Sequence, residues 1–222
     1  FTVGTSSYFV ANGNVGIGTS SPNAKLTVVT ESAGGGTHFI NYTGSSSTGL
    51  FASLLTARGT LASPTVVQVG DRVGVLGFAG YTGSAFYNAA AIMAFVDSGT
   101  ANTTSMPLYM SFFTNSDGAL ARAERMRIDS KGRVLVGSTT ARENLFNSTF
   151  TSSLQVEGTT ADNSSLLVVR NSDTAAAAPF LILGRARGST VGSTTAVQAS
   201  DAIGSLSFQA FDGSEFVEAA RI

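Results

Sequence analysis

Asp71–Ile92, DRVGVLGFAGYTGSAFYNAAAI, returns as Asp201–Ile222, DAIGSLSFQAFDGSEFVEAARI, at a constant offset of 130. Ten of the 22 positions are identical, among them Asp71, Gly74, Leu76, Phe78, Gly83 and Ile92. An ungapped match of that density marks a structural unit that was copied and then drifted. Read as a strand, it puts Gly74, Leu76, Phe78 and Gly80 on one face and Val73, Val75, Gly77 and Ala79 on the other. The copy keeps Leu206 and Phe208 but turns the second face into Ile203, Ser205, Ser207 and Gln209. The pattern predicts a half-buried strand whose Leu-Phe face is held by a core. Thr82-Gly83 and Asp212-Gly213 then predict two-residue type I′ hairpin turns. Ala90, Ile92, Ala94 and Val96 alternate with Ala91, Met93 and Phe95, as a return strand would; Phe86, Ala89, Ala90 and Met93 also have helical spacing.

Composition narrows the function classes. Only 12% of the 222 residues are charged and the net charge is −1, against roughly 25% charged in ordinary domains. That balance gives no reason to expect nucleic acid, an anionic membrane or an acidic substrate as a partner. The absence of cysteine removes disulfides and thiolate chemistry and leaves the redox compartment open. The longest apolar runs, Ala89–Val96 and Ala175–Gly184, are too short to span a bilayer as helices, so no membrane insertion is expected. The chain begins with Phe1, and the second copy stops where the first continues, so a piece of a longer protein is expected.

Outward from the opening stretch, a second duplication emerges. Phe1–Ala11 is strand-like, Asn12-Gly13 reads as a turn, and Gly13, Val15 and Ile17 face away from Asn14, Gly16 and Gly18. A glycine-lined face implies close approach of another backbone. At offset 119, Gly13, Val15, Ile17 and Gly18 match Gly132, Val134, Val136 and Gly137. The earlier half of that later hairpin is Glu124–Asp129, ERMRID, with Met126 and Ile128 opposite Arg125, Arg127 and Asp129. Lys25–Val29, answered by Leu154–Val156, and Leu108–Phe113 read as strands. So do His38–Tyr42, Leu50–Leu55, Ser165–Arg170 and Phe180–Leu183. Ala57-Arg58-Gly59 is answered by Ala186-Arg187-Gly188 at offset 129. The expected organisation is the tail of a preceding unit in residues 1–12, a first β unit in 13–131 and an incomplete second in 132–222.

GNVGIGTSSP, the G-D-x-x-G-x-L-x-F run and AERMRIDSKGRVLVGST together resemble the repeats of bacteriophage tail fibres, of the marine and cyanophage kind found upstream of an intramolecular chaperone. The motifs cover about half of the chain, and RVLVGSTTA departs from the pattern by lacking the Gly-Ile-Gly core and the proline. No stretch resembles the self-cleaving chaperone. The resemblance implies an all-β fold of tandem β-rich units in a fibrous, intertwined homotrimer. It also implies a virion, extracellular location and partners among other tail proteins and host cell-surface glycans or proteins. The residues favour an oligomer independently: short strands rich in small side chains carry a thin apolar face and leave edges to be covered.

Chemical motifs are sparse. His38 is the single histidine and sits beside Phe39 and Ile40, as a packed or surface residue does. Gly16-Ile17-Gly18 lacks the third glycine and following helix of a dinucleotide fingerprint, and no phosphate loop is present. Asp71, Asp97, Asp117 and Glu124 are carboxylates that a glycosidase pair would need. Asp71 and Asp201, however, open a repeated strand, and Asp117 lies in a turn, where Asp bonds local backbone. Glu124, Arg125, Arg127 and Asp129 are expected to form a cross-strand charge ladder. No catalytic residue, metal ligand or cofactor is therefore assigned, and the expectation is a non-enzyme. Two classes of function remain: a shaft segment linking virion to tip, or a receptor-binding tip, with a polysaccharide-degrading tailspike third. Tyr42, Tyr81, Tyr87, Tyr109 and Phe211 are the candidate receptor contacts, since aromatic rings near turns can stack on sugars. Packing within the assembly competes for the same side chains.

Overall fold

The computed structural model describes residues 7–9, 13–30, 39, 52–99, 101–143, 151–171, 173 and 178–222. Within these the regular structure is all strand, with no helix. The chain divides into two compact units, Phe1–Ser53 and Leu54–Ile222.

The first unit holds β1 (Ser7–Phe9), β2 (Val15–Ile17) and β3 (Leu26–Val28) in one sheet, with β2 between the other two. β1 and β2 are antiparallel, β2 and β3 parallel. The glycine-lined edge of β2 does meet backbone. At Gly18, where φ is +76°, a Cβ would collide with the Val29 carbonyl oxygen. That carbonyl lies close because the Val29 N–H donates to the Ile17 oxygen at 2.8 Å, extending the parallel pairing.

The second unit opens with a small hairpin, β4 (Arg58–Thr60) and β5 (Ser63–Thr65). A larger sheet follows, built from β6 (Arg72–Tyr81), β7 (Phe86–Val96), β8 (Leu108–Asn115), β9 (Arg122–Ile128), β10 (Val134–Val136) and β11 (Leu154–Val156). Its spatial order is the chain order, with every pairing antiparallel except β10–β11. A last hairpin joins β12 (Ser207–Phe211) to β13 (Phe216–Arg221). Asp97 steadies the turn after β9: its carboxylate accepts from the Ser130 N–H at 3.0 Å.

Both sequence repeats are repeats of geometry. The pairs Ser7↔Ile17 and Phe9↔Val15 become Met126↔Val136 and Ile128↔Val134, and Val15↔Leu26 becomes Val134↔Leu154. The offset-130 repeat is as close. Gly77↔Ala91, Phe78↔Ala90 and Tyr81↔Phe86 become Ser207↔Arg221, Phe208↔Ala220 and Phe211↔Phe216, with the β-bulge after Phe78 reproduced after Phe208.

The expected return strand is present as Phe86–Val96, and its helical spacing is coincidental: neighbours on both sides offer a hydrogen-bonding ladder. Several other expectations need correction. The hairpin loops are four residues long, Thr82–Ala85 and Asp212–Glu215, not two-residue type I′ turns. Both loops are closed by one backbone bond, Thr82 N–H to the Ala85 oxygen at 3.0 Å and Asp212 N–H to the Glu215 oxygen at 3.1 Å, and in the second the Asp212 Oδ1 also accepts from the N–H groups of Ser214 and Glu215, at 2.8 and 2.9 Å. Only the glycine of each loop, Gly83 or Gly213, takes positive φ. Residues 52–55, Ser165–Arg170 and Phe180–Leu183 are not strands. They carry the apolar content of strands but find no ladder among the described residues. His38–Tyr42, apart from Phe39, lies outside the described residues.

The charge ladder is also rearranged. Arg127 grips Glu124 on its own strand, Arg125 bonds Thr114 and Ser116 hydroxyls, and Asp129 reaches across the turn to Arg133 at 2.6 Å. The bulge between Phe112 and Phe113 breaks the simple opposition that a ladder requires.

Candidate functional site

Side-chain alternation gives the larger sheet two unlike faces. One includes Ala91, Met93, Ser111 and Leu135, all buried, Leu135 to 1% and Ser111 to 0% exposure. Over the same face Tyr109 stacks on Phe95 with centroids 5.2 Å apart, and the Arg127 guanidinium lies 4.1 Å above the Tyr109 ring. Large flat groups thus lie over this face.

The opposite face follows from the register. Leu76 lies across from Ile92, Ile92 from Phe112, Phe112 from Met126 and Met126 from Val136. A second row runs Ala94, Met110, Ile128, Val134 and Leu154. All of these residues are apolar. One end of the face is covered from within the chain, where Val67 and Ala101 pack with Val96 and where Leu54 crowds Gly74. The rest is open: Leu76 is 56% and Phe78 52% exposed, and Met110, Ile128, Leu154 and Val156 are exposed too. The expected core under the Leu-Phe face is therefore not supplied by the described residues of this chain. In the copy, Leu206 is 44% and Phe208 54% exposed, and Leu183 crowds Gly204 as Leu54 crowds Gly74.

Asp71 and Asp201 are loop clasps. Arg58 donates two bonds of 2.6 Å to Asp71, and the Gln68 N–H adds a third at 2.9 Å. Arg187 donates bonds of 2.7 and 2.9 Å to Asp201, joined by the Gln198 N–H at 2.8 Å. These bonds, the arginine's foremost and then the backbone N–H, hold each carboxyl down to about 2. Strand alternation does not reveal the partnership, although the offset-129 match of Arg58 and Arg187 is its signal in the sequence. Of the other carboxylates weighed for catalysis, Asp97 accepts from Ser98 and Ser130 N–H groups, and Glu124 is held by Arg127. Asp117 lies in the turn closed by the Ala119 N–H to the Ser116 oxygen. His38 lies outside the described residues, among which no three metal-ligating side chains gather.

The candidate receptor aromatics separate. Tyr42 lies outside the described residues. Tyr81 and Phe211 are equivalent, each exposed at a hairpin tip with its ring 5.2 or 5.4 Å from Phe86 or Phe216. Tyr87 is partly exposed on β7. Tyr109 is mid-sheet, not in a turn, under Arg127. Tyr109 and Phe211 both line an open cleft of about 910 Å³, with Phe216, Arg127 and Arg142. Most of its charges are paired: Arg127 with Glu124, Arg142 with Glu157, and Arg133 with Asp129 and Glu143. No helix among the described residues is long and apolar enough to cross a membrane.

No protein-family model and no curated protein matches the chain. Solved structures do. The carboxy-terminal domain of the bacteriophage T5 L-shaped tail fibre with its intra-molecular chaperone domain aligns at TM-score 0.52 and 18% identity, over 78% of this chain and 50% of that one. A structure of the same carboxy-terminal domain aligns at TM-score 0.44 and 22% identity, over 64% and 51%. The chain thus spans about half the length of the solved chains it matches. At this identity the first likeness bears on the fold alone: an all-β architecture of tail-fibre type.

Proposed function

We propose that this chain is a structural segment of a bacteriophage tail fibre, a non-enzymatic shaft portion linking virion to host-binding tip and assembled as an intertwined homotrimer. The observation that carries the reading is the fold likeness to the T5 tail-fibre domain over 78% of the chain. Its duplicated, register-identical hairpins support it, because a shaft transmits along its length by repeating one unit. Units of residues 13–131 and 132–222, with 1–12 as the tail of an earlier one, are the segments so repeated. The location would be the virion, outside the cell, with other tail proteins as neighbours.

A second reading, host contact through loops, rests on Tyr81 and Phe211, exposed at equivalent hairpin tips and able to stack on a glycan or protein surface. Tyr42, Tyr87 and Tyr109 are weaker members of that set. Antibodies raised against the chain and applied to intact virions separate the readings in electron micrographs. Decoration along a tail fibre, without blocked adsorption, is expected of a shaft; decoration of the distal end with blocked adsorption gives the chain to the tip. Virions that carry none of the antigen contradict both. Release of sugar from host polysaccharide by the purified chain would contradict the non-enzymatic part.

A further inference from the structure

We infer that the open face carrying Leu76 and Phe78, together with its copy at Leu206 and Phe208, is the surface by which copies of this chain pack on one another. The inference rests on the homotrimer proposed above and names the surface that builds it. Three observations lead there. First, the face is apolar across the sheet, and among the described residues of the single chain it is covered only at the end where Leu54 and Val67 lie. Leu76, Phe78, Met110, Ile128, Leu154 and Val156 on the larger sheet, with Leu206 and Phe208 on its copy, stand between 39% and 58% exposed, and a stable interface takes about 800 Å² from each partner. Soluble monomers rarely leave so large an apolar patch open.

Second, the two faces of the duplicated strand drifted unequally. Val75, Gly77 and Ala79 became Ser205, Ser207 and Gln209, whereas Leu76 and Phe78 stayed Leu and Phe although each chain leaves them exposed. Third, the open face recurs at the same register, beside the same bulge and under the same partial cover from Leu54 or Leu183. A partner that covers both occurrences needs apolar faces repeated at the same interval. A second copy of this chain has them by construction of its sequence. The two apolar rows also present no ionisable group to misalign, so sheets can pack at their usual separation of about 10 Å.

The chain has no cysteine, so single thiols report on the face without background. Phe78→Cys and Phe208→Cys are compared with Asp117→Cys, at an exposed turn, in protein whose assembly is followed by light scattering. In the assembled protein the thiols at 78 and 208 are expected to react with maleimide about tenfold more slowly than that at 117, or more slowly still, as groups protected in a packed region do. Loss of assembly by Leu76→Lys or Phe78→Lys, with the far-ultraviolet β spectrum kept, also supports the assignment. If the wild type assembles while the thiols at 78 and 208 react as fast as at 117, the face is wrong and the homotrimer stands. The same holds if they become shielded only when host-envelope vesicles are added. A wild type that stays monomeric overturns both.

Discussion

At residues 71 and 201 a carboxylate closes a loop by accepting a guanidinium and a backbone N–H together, and the pair shows how one side chain can be a scaffold rather than a reagent. Their folded-state values of about 2 lie below the ordinary 3.8. The contribution to stability is therefore whole above 3.8 and is lost as pH falls toward 2, because the unfolded chain then binds protons more readily. Thermal unfolding followed from about pH 5 to about pH 2 is expected to show a falling midpoint, with a shallower fall in Asp71→Asn/Asp201→Asn; a midpoint that rises with acid would contradict the clasp. Gly137 is constrained differently. Its φ is +78° and a Cβ there would strike the Glu157 carbonyl oxygen, so Gly137→Ala is expected to cost about 1–3 kcal/mol in denaturant unfolding. Leu135, 1% exposed, is the clearest core position, and Leu135→Ala is expected to cost about 2–5 kcal/mol by the same measurement.

Elements whose partners are adjacent in sequence are legible from the residues alone. β6 to β10 follow from alternation because each pairs with the next, and ERMRID-SKG-RVLVG reads as a hairpin from Met126, Ile128, Val134 and Val136. The hairpin loops are less legible because Asp212-Gly213 suits a tight turn, whereas the Asp212 carboxylate in fact gathers the N–H groups of the next residues. Alternation states that a strand has an apolar face but not what covers it, so the exposure of Leu76 and Phe78 cannot be read from it. Ser165–Arg170 and Phe180–Leu183 fail in the same way: Leu166, Leu167, Phe180 and Ile182 are strand-like in type and largely exposed. If a neighbouring chain supplies their ladder, amide hydrogen exchange in these segments is expected to be slow in the assembled protein and fast after dissociation. Fast exchange in both states would show that they stay unpaired.

Across the whole molecule, a sheet with one self-covered face and one open apolar face is half of a packing arrangement. The single chain recovers little from Leu76, Phe78, Leu206 and Phe208, whereas burying side chains of this kind is worth about 1.5–3 kcal/mol each. Assembly would convert that unused area into stability and would make dissociation slow, since contacts between chains must break together. Such persistence suits the fibre role proposed above. The candidate receptor contacts are less legible than the fold, because an aromatic ring near a turn is equally a packing group; Tyr109, mid-sheet under Arg127, illustrates the ambiguity. The most direct test is the molar mass of the purified chain by light scattering across a dilution series. An intertwined homotrimer gives three times the chain mass of 22.7 kDa, held to low concentration; a monodisperse species of 22.7 kDa would rule it out.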